Sequence, residues 1–402
     1  MVQRSSIIVI SLLLLSFILF ISGKETMIAP WGKASFVANE SLYYNIHNLY
    51  AEKKSKELDS IFGKYHKAGA FNGTVIYGEH GLEVFKQSYG YADFGDKTLL
   101  STSSSFQLAS VSKMFTATAI MILMERGKLN YDDNLTRFIP EFPNKKVTIR
   151  NLLNHRSGLA NYIYLADEHW DIEKPITNED VVDLFVKNKP QDYFQPDKGF
   201  QYSNTNYALL GSVIERITGQ PFNIFVKENI FKPAGMNNSF IYNLEGDTVV
   251  PHYVPVGVSG YQTRSGRYVK MQDNYLNGVM GDKGVYSTVE DLFRFNQALD
   301  NGILINPNTL ADAFTPGSPV SKSRKDNYGF GWRIRSDMDS TVYHFGWWKG
   351  FRTYFIRDMK NERALIVLTN TTKGFSNELL WDIIRKDTES EDILSVYQSL
   401  PK

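Results

Sequence analysis

Cysteine is absent from the 402 residues of the chain. Its absence excludes thiol nucleophiles, disulfide bridges, thiolate zinc sites and lipidated cysteines together. An excess of either charge is also missing, because 44 lysine and arginine residues are balanced by 43 aspartate and glutamate residues. A net charge of +1 provides no basic field that would gather nucleic acid and no acidic tail. We therefore expect small molecules or peptides as partners, and no nucleic acid.

Several catalytic signatures are missing as well. The sequence contains no Gly-x-Ser-x-Gly turn, no His-Glu-x-x-His pair, no phosphate-binding loop and no dinucleotide-binding glycine pattern. Disorder is not indicated, because apolar residues make up 43% of the chain and charged residues 22%. We therefore expect a folded globular protein whose chemistry comes from other motifs.

A hydrophobic run lies near the N-terminus. Arg4 precedes a mostly apolar stretch at 7–21, which Ser22 and Gly23 follow. A basic start and such a run are typical of a secretory signal peptide, and the run is short for a membrane span of about 20 residues. Removal of residues 1–23 and retention of 5–22 as an anchor remain alternatives. Either way, we expect a periplasmic or other extracytoplasmic protein that contacts the membrane only through this segment.

The remaining sequence divides into a tether with an N-terminal helix at 24–64 and one domain at 65–395. Runs typical of strands occur at both ends of that domain, and helical periodicity dominates from about 105 to 300. We predict an α+β fold in which an antiparallel sheet of about five or more strands, built from both ends of the chain, is flanked by helices. A mostly helical second lobe would cover the sheet and leave a ligand cleft between the lobes. The predicted strands are 71–77, 82–89, 342–345, 353–357 and 364–369.

Ser110 and Lys113 form a Ser-x-x-Lys motif directly before a long run of helix-forming residues. This position predicts Ser110 at or near a helix N-terminus, where free backbone N–H groups favour a developing negative charge. Residues three apart share a helix face, so the Lys113 amine can reach the Ser110 hydroxyl. A buried lysine that stays neutral can take the proton of a serine nucleophile. The motif alone is weak, since Ser399 to Lys402 matches it at the end of the chain.

Tyr202 and Asn204 lie in a polar loop that leads to a helix predicted to begin at 207. A phenol near a lysine can relay a proton to a leaving group, and an amide can orient a substrate carbonyl. The Tyr-x-Asn pattern also occurs at Tyr43 and Tyr275, so a purely structural role for the loop tyrosine is the alternative.

His344 and Gly346 lie at the end of a predicted strand, before a tight turn at Lys349 and Gly350. Glycine at a strand edge lets a substrate approach the backbone closely. A histidine within a strand is structural more often than catalytic, and both roles stay open here. His155 precedes a Ser-Gly turn, and we expect it to fix that turn by hydrogen bonds rather than to act in catalysis.

The three motifs in this order resemble the active-site elements of the penicillin-recognising serine hydrolases, which are Ser-x-x-Lys, Tyr-x-Asn and a Lys/His-x-Gly strand. The long gaps from Ser110 to Tyr202 and from Tyr202 to His344 are similar to those of the class C β-lactamase branch. That branch includes D-alanyl-D-alanine carboxypeptidases, D-aminopeptidases and esterases. The resemblance runs from about 65 to 372, and further matches lie at 152–159, 207–215, 231–236 and 281–288.

The resemblance implies an acyl-enzyme route that needs neither a metal nor another cofactor. Ser110 would attack a carbonyl, Lys113 and Tyr202 would handle the proton, and Asn204 would hold the substrate amide. The backbone N–H groups of Ser110 and Trp347 would form the oxyanion hole. The substrate would be a small molecule or a peptide, including one derived from the cell wall.

The third motif departs from the pattern of β-lactamases and carboxypeptidases, which usually have Lys-Thr-Gly there. His344 and Gly346 are expected to bind substrate, but Phe345 cannot donate a hydrogen bond and a histidine is mostly neutral at pH 7. We therefore expect an esterase or D-peptidase in preference to a true β-lactamase or D,D-carboxypeptidase. Lys349 or Arg352 could restore a positive charge from the adjoining turn. A catalytically inactive binding or scaffold protein of the same fold is the alternative from another class.

Overall fold

The computed structural model describes residues 50–242, 244, 258–319, 326–373 and 376–385. The chain forms two units, one of residues 54–389 and one of residues 1–53 with 390–402. Only 50–53 of the second unit are described, and they are helical. The N-terminal hydrophobic run at 5–22 lies outside the described residues. Among the residues that are described, no helix is long and apolar enough to cross a membrane.

A seven-stranded sheet lies in the larger unit, with the strand order β10-β11-β12-β13-β14-β1-β2 and antiparallel pairing throughout. Strand β1 pairs with β14, so the two ends of the domain meet in the middle of the sheet, from Gly73 opposite Thr369 to Glu79 opposite Arg363. The predicted α+β fold and its sheet built from both ends are confirmed. The strands are β1 (Gly73–Glu79), β2 (Leu82–Tyr89), β10 (Asp326–Tyr328), β11 (Arg333–Arg335), β12 (Thr341–Trp348), β13 (Phe351–Asp358) and β14 (Arg363–Thr369).

The central strands are buried on both faces, since every residue of β1 and of β14 is buried. Helix α8 (Val289–Asp300) packs against both strands, and helix α10 (Asn377–Arg385) packs against β14. Burial on both faces explains why residues 364–368 of β14 are a continuous run of apolar residues rather than an alternating pattern. Strands β10 and β11 were not predicted, because three residues each with several polar side chains carry no such signal.

Helix α2 (Lys113–Glu125) forms the centre of the helical lobe, and its residues from Lys113 to Leu123 are all buried. Helix α6 (Asn204–Thr218) packs against it and begins three residues earlier than predicted. Thr288 is the N-cap of helix α8 and accepts a hydrogen bond from Asp291 N–H. The other helices are α1 (50–67), α3 (Ile149–Leu153), α4 (Tyr162–His169), α5 (Asn178–Asn188), α7 (Phe222–Val226) and α9 (Pro307–Ala313).

Three small sheets are present in addition to the seven-stranded sheet. Their strands are β3 (Tyr91–Asp93) with β4 (Thr98–Leu99), β5 (Phe106–Gln107) with β9 (Val285–Ser287) and β6 (Phe240–Ile241), and β7 (Tyr261–Arg264) with β8 (Arg267–Lys270). The sheet of β5, β9 and β6 matters most for function, because β5 leads directly into the turn that carries Ser110.

Candidate active site

Ser110 lies on a single 3-10 turn, Ala109–Ser112, that continues into helix α2. Its side chain is partly exposed, whereas Ala109 and Ser112 beside it are buried. Ala109 has a φ of 51°, in the left-handed region that non-glycine residues rarely adopt and that costs on the order of 1–3 kcal/mol. The surrounding structure holds this conformation, since Leu108 N–H donates to the Val285 carbonyl and the Thr353 hydroxyl donates to the Leu108 carbonyl.

Strand β12 lies directly against this turn at Gly346. A β-carbon at Gly346 would lie 3.0 Å from the Ala109 β-carbon and closer still to the Leu108 carbonyl oxygen and the Thr353 hydroxyl. Carbon atoms normally approach each other to about 3.5 Å, so only glycine fits between the strand and the turn. In the described residues, β11 pairs only with Val342 and Tyr343 of β12, which leaves the edge of β12 beyond these two unpaired with β11.

The Lys113 amine is fully buried one helical turn from Ser110. Its Nζ makes three hydrogen bonds, to Ser110 Oγ at 3.2 Å, to Asn204 Oδ1 at 2.8 Å and to the backbone carbonyl of Asp282 at 2.8 Å. The predicted contact between Lys113 and Ser110 is present. Asn204, which was expected to hold the substrate, is the first residue of α6 and turns its amide oxygen to the lysine.

A second buried lysine, Lys283, binds the side chain of Asp282, whose backbone carbonyl accepts from Lys113. Lys283 Nζ donates to Tyr162 Oη at 2.7 Å and to both Asp282 carboxylate oxygens at 3.2 Å, and the Tyr162 hydroxyl donates to the same carboxylate at 3.0 Å. Burial lowers the pKa of Lys283. The negative charge of Asp282 opposes this shift, and the positive charge of the nearby Lys113 adds to it. The sequence pattern singled out residues 281–288 by their resemblance to the family. It did not predict that the Asp282 carbonyl bonds to Lys113, or that Tyr162, which is distant in the chain, bonds to Asp282 and Lys283.

The Tyr202 phenol also lies at the lysine. Lys113 Nζ is 5.1 Å from the centre of the Tyr202 ring, and the Arg333 guanidinium is 5.3 Å from the same centre. The Tyr202 hydroxyl is buried and has no hydrogen-bond partner among the described residues. A buried hydroxyl without a partner is costly, so a site that binds a ligand is its natural explanation.

His155 lies against the Tyr202 ring, with ring centroids 4.3 Å apart. Its Nδ1 accepts a hydrogen bond from the Ser203 backbone N–H at 3.3 Å and lies 3.0 Å from Asn206 Nδ2, while its carbonyl accepts from Gln201 N–H. Complete burial, with the nearby Lys113 adding to it, holds the pKa of His155 well below its usual value. His155 therefore fixes the loop that carries Tyr202, and the hydrogen bonds of its ring go to Ser203 and Asn206 rather than to the Ser-Gly turn expected from the sequence.

His344 is buried on β12 and both of its ring nitrogens are occupied. Nε2 lies 2.9 Å from the Tyr328 hydroxyl and Nδ1 lies 2.8 Å from the Phe345 carbonyl. The carbonyl can only accept, so Nδ1 carries the proton and the Tyr328 hydroxyl donates to Nε2. Burial holds the pKa of His344 well below its usual value, and the positive charge of the nearby Arg333 adds to this shift. The side chain expected to contact substrate is thus occupied by protein groups in this structure.

Phe345 and Trp347, the two neighbours of Gly346 on β12, point to the opposite face of the sheet from Gly346. Trp381 of helix α10 lies on that face, which is called the outer face below. Phe345 packs against Tyr343, Tyr354 and Trp381. The Trp347 side chain is 67% exposed and stacks with the Arg352 guanidinium at 5.0 Å. The structure therefore brings Ser110, Lys113, Tyr202, Asn204, His344 and Gly346 into one region, with the Trp347 backbone next to Gly346.

Comparisons with known proteins identify the family of the chain. The beta-lactamase family profile matches residues 58–389. Penicillin-binding protein 4* of Bacillus subtilis is 38% identical over 329 residues, which cover 79% of this chain and 72% of that protein. The putative penicillin-binding protein PbpX of the same organism is 28% identical over 76% of this chain and 74% of its own length.

Solved structures share the fold at low sequence identity. A penicillin-binding protein from Bacillus halodurans superposes with a TM-score of 0.69 at 24% identity, covering 83% of this chain and 98% of that chain. D-amino acid amidase from Ochrobactrum anthropi has a TM-score of 0.66 at 24% identity over 79% and 91%. The hydrolase EstCE1 has a TM-score of 0.69 at 20% identity over 83% and 98%. The chain therefore belongs to the beta-lactamase family of penicillin-recognising serine hydrolases.

Proposed function

We propose that this serine hydrolase cleaves an ester or a D-amino-acid-containing peptide or amide through an acyl intermediate on Ser110. The hydrogen bonds of Lys113 carry the proposal. A neutral amine has two N–H groups and one lone pair, and two of its three partners, Asn204 Oδ1 and the Asp282 carbonyl, can only accept. When Lys113 is in its neutral form, as the proposal requires, the lone pair faces the third partner, the Ser110 hydroxyl at 3.2 Å. This arrangement suits removal of the serine proton.

In the first step, Ser110 Oγ bonds to the substrate carbonyl carbon while its proton passes to Lys113 Nζ. The carbonyl oxygen takes up the electron pair, and the backbone N–H groups of Ser110 and Trp347 stabilise it. Losing one such donor costs about 10²–10³ in rate. The bond to the leaving group then breaks, and the leaving group takes a proton from the Tyr202 hydroxyl, which Lys113 replaces. Water finally attacks the acyl carbon, frees the acid and returns the proton to Ser110.

The choice of substrate class rests on the strand that bears the third motif. β-Lactam antibiotics carry a carboxylate, yet the His344 ring is neutral and occupied, and Phe345 points to the outer face. These positions offer a substrate anion no free side-chain donor, which supports an ester or D-peptide substrate over a β-lactam. Two solved structures of the same fold, a D-amino acid amidase and EstCE1, a hydrolase with promiscuous acyltransferase activity, are consistent with cleavage through an acyl intermediate.

We further propose that the chain is exported, with residues 1–23 as a signal peptide or 5–22 as an anchor, and that 65–395 is the hydrolase domain. The basic start and apolar run support export, and cell-wall material is then within reach as a substrate source.

The test is an activity panel of small esters, D-amino-acid amides and peptides, and the chromogenic β-lactam nitrocefin. We expect turnover of esters or D-amides, slow or no turnover of nitrocefin, and no turnover by Ser110→Ala. Ser103→Ala is the matched control, because Ser103 is exposed on a loop before β5. Full esterase activity of Ser110→Ala would place the nucleophile elsewhere. Fast nitrocefin hydrolysis would favour a β-lactamase, and no turnover across the panel would favour an inactive scaffold.

A further inference from the structure

The position of Tyr202 fixes which way a substrate lies along β12, if the proposed function holds. The Tyr202 ring lies next to His344, with centroids 6.1 Å apart, and Gly346 lies against the turn of Ser110. The leaving group accepts its proton from Tyr202 and so lies toward His344. The acyl part of the substrate must then extend in the opposite direction, toward Trp348 and Lys349. Side chains alternate along a strand, so Trp348 shares the inner face with His344 and Gly346.

Trp348 and Lys349 present two unused hydrogen-bond donors at that end. The Trp348 indole Nε1 is buried without a partner among the described residues. Lys349 Nζ lies 5.8 Å from the centre of the Trp348 ring, and no hydrogen bond or ion pair of this amine occurs in the part of the chain that the structure describes. Positive φ angles of 45° at Lys349 and 89° at Gly350 form the tight turn that holds the lysine there.

The other charges near Trp348 are satisfied or distant. Lys283 Nζ lies 5.2 Å from the Trp348 ring, but its donors are taken by Tyr162 and Asp282, and that carboxylate balances its charge. Asp273 interacts with Lys349 through space, beyond ion-pair distance, and one of its oxygens accepts from Asn277. Burial lowers the pKa of Lys349, and Asp273 opposes this shift. A half-buried ammonium that lacks a direct partner gains most from an anionic ligand.

We propose that Lys349 Nζ and the Trp348 indole N–H form an acyl-side subsite that binds a carboxylate on the acyl part of the substrate. Preferred substrates are then esters or amides whose acyl group carries a carboxylate, in preference to neutral acyl groups and to acyl groups with a free ammonium. From the sequence, Lys349 and Arg352 remain alternative positive charges in this region, and the structure distinguishes between them. Arg352 lies on the outer face over Trp347, and only Lys349 lies beside an inward-facing residue.

The test compares three 4-nitrophenyl esters of similar length: the monoester of adipic acid, its neutral methyl diester and a 6-aminohexanoyl ester. Spontaneous hydrolysis is subtracted with a protein-free blank, and the Ser110→Ala protein is assayed as a separate sample. We expect the highest kcat/KM for the adipate monoester and the lowest for the aminohexanoyl ester. Lys349→Met should lower the ratio of kcat/KM for the adipate monoester to that for its methyl diester by about tenfold or more. Lys349→Arg should retain part of the ratio, and Arg352→Met, on the outer face, should leave it unchanged.

A binding measurement makes the inference independent of turnover. Monomethyl adipate is titrated into Ser110→Ala protein by calorimetry, and the Lys349→Met substitution in that background should weaken binding about tenfold. Equal binding by the two proteins, or an equal ratio of kcat/KM in the wild type and Lys349→Met, overturns the subsite. Ser110-dependent hydrolysis without a preference for the carboxylate overturns this inference alone. Hydrolysis of every ester by Ser110→Ala overturns the proposed function instead.

Discussion

Replacing Gly346 by alanine tests whether β12 holds the nucleophile turn in place. The new methyl carbon would lie 3.0 Å from the Ala109 β-carbon and closer to the Leu108 carbonyl oxygen and the Thr353 hydroxyl. Normal carbon contacts are about 3.5 Å or longer, so the strand and the turn must separate by about 0.5–1 Å. The separation loosens the contact that holds Ala109 at its positive φ. It also moves the Trp347 N–H relative to Ser110.

A misplacement of about 1 Å can lower a catalysed rate by about 10². We therefore expect Gly346→Ala to reduce kcat/KM for the best ester by about that factor and to destabilise the fold by about 1–3 kcal/mol, the usual cost of overpacking. Steady-state kinetics and denaturant unfolding measure the two effects. Gly63→Ala is the matched control, because a β-carbon there meets nothing within 4 Å. In helix α1 it should be neutral or stabilise the protein by about 0.5–1 kcal/mol.

A second substitution separates the two sources of overlap. Thr353→Ala in the Gly346→Ala background removes the hydroxyl but leaves the Leu108 carbonyl, which belongs to the backbone. We expect little recovery of activity, because the turn is still displaced. Retention of kcat/KM within about threefold of the wild type by Gly346→Ala would refute the reasoning, since the turn would then not depend on close contact with the strand.

Two further predictions concern the buried groups around the site. Burial keeps the pKa of His155 and of His344 well below 6.5, so the unfolded chain binds protons at a pH at which the folded protein does not. The free energy of unfolding should fall as the pH drops below about 6.5, by about 1.4 kcal/mol per pH unit for each histidine. Above about pH 6.5 the two histidines are neutral in both states, so they should cause no further change in the free energy of unfolding. His344→Gln should reduce the loss of melting temperature between pH 7 and 5, and an unchanged loss would contradict this. Lys283→Met leaves the Asp282 carboxylate buried without its cation and should cost about 3–5 kcal/mol of stability. The double variant with Asp282→Asn should regain much of that loss in denaturant unfolding, and no recovery would mean that the ion pair is not the cause.

The sequence predicted the sheet because its signals are local. Runs such as Ala364 to Leu368 consist of strand-forming apolar residues, and the hairpin at 78–81 has turn residues between two such runs. Strands β10 and β11 have no such signal, since their residues are few and largely polar. Short loops at 329–332 and 336–340 join them to each other and to β12, but segments of three residues are too short to show a periodicity.

In the site, some contacts are local in the sequence and others join distant segments. Spacing along one helical turn predicted the contact of Lys113 with Ser110, which the structure contains at 3.2 Å. The partner of His344 is Tyr328, which lies 16 residues away on another strand, and the partner of Lys283 is Tyr162, 121 residues away. Motifs identify residue types, but which side chains are buried and which polar atoms find partners is decided by packing between distant segments. The contact of Asn204 with substrate stays a prediction, and the sequence did not show that its amide oxygen bonds to Lys113.

The rate at which Ser110 is acylated, with and without the lysine, tests the central claim most directly. A fluorophosphonate or a slowly deacylated ester is mixed with the wild type and with Lys113→Met, and the adduct is followed by mass spectrometry and mapped to its peptide. The account predicts an adduct on Ser110 in the wild type and a rate lower by about 10²–10⁴ in Lys113→Met, the usual contribution of a general base. An adduct on another residue, or acylation of Lys113→Met at the wild-type rate, would contradict it.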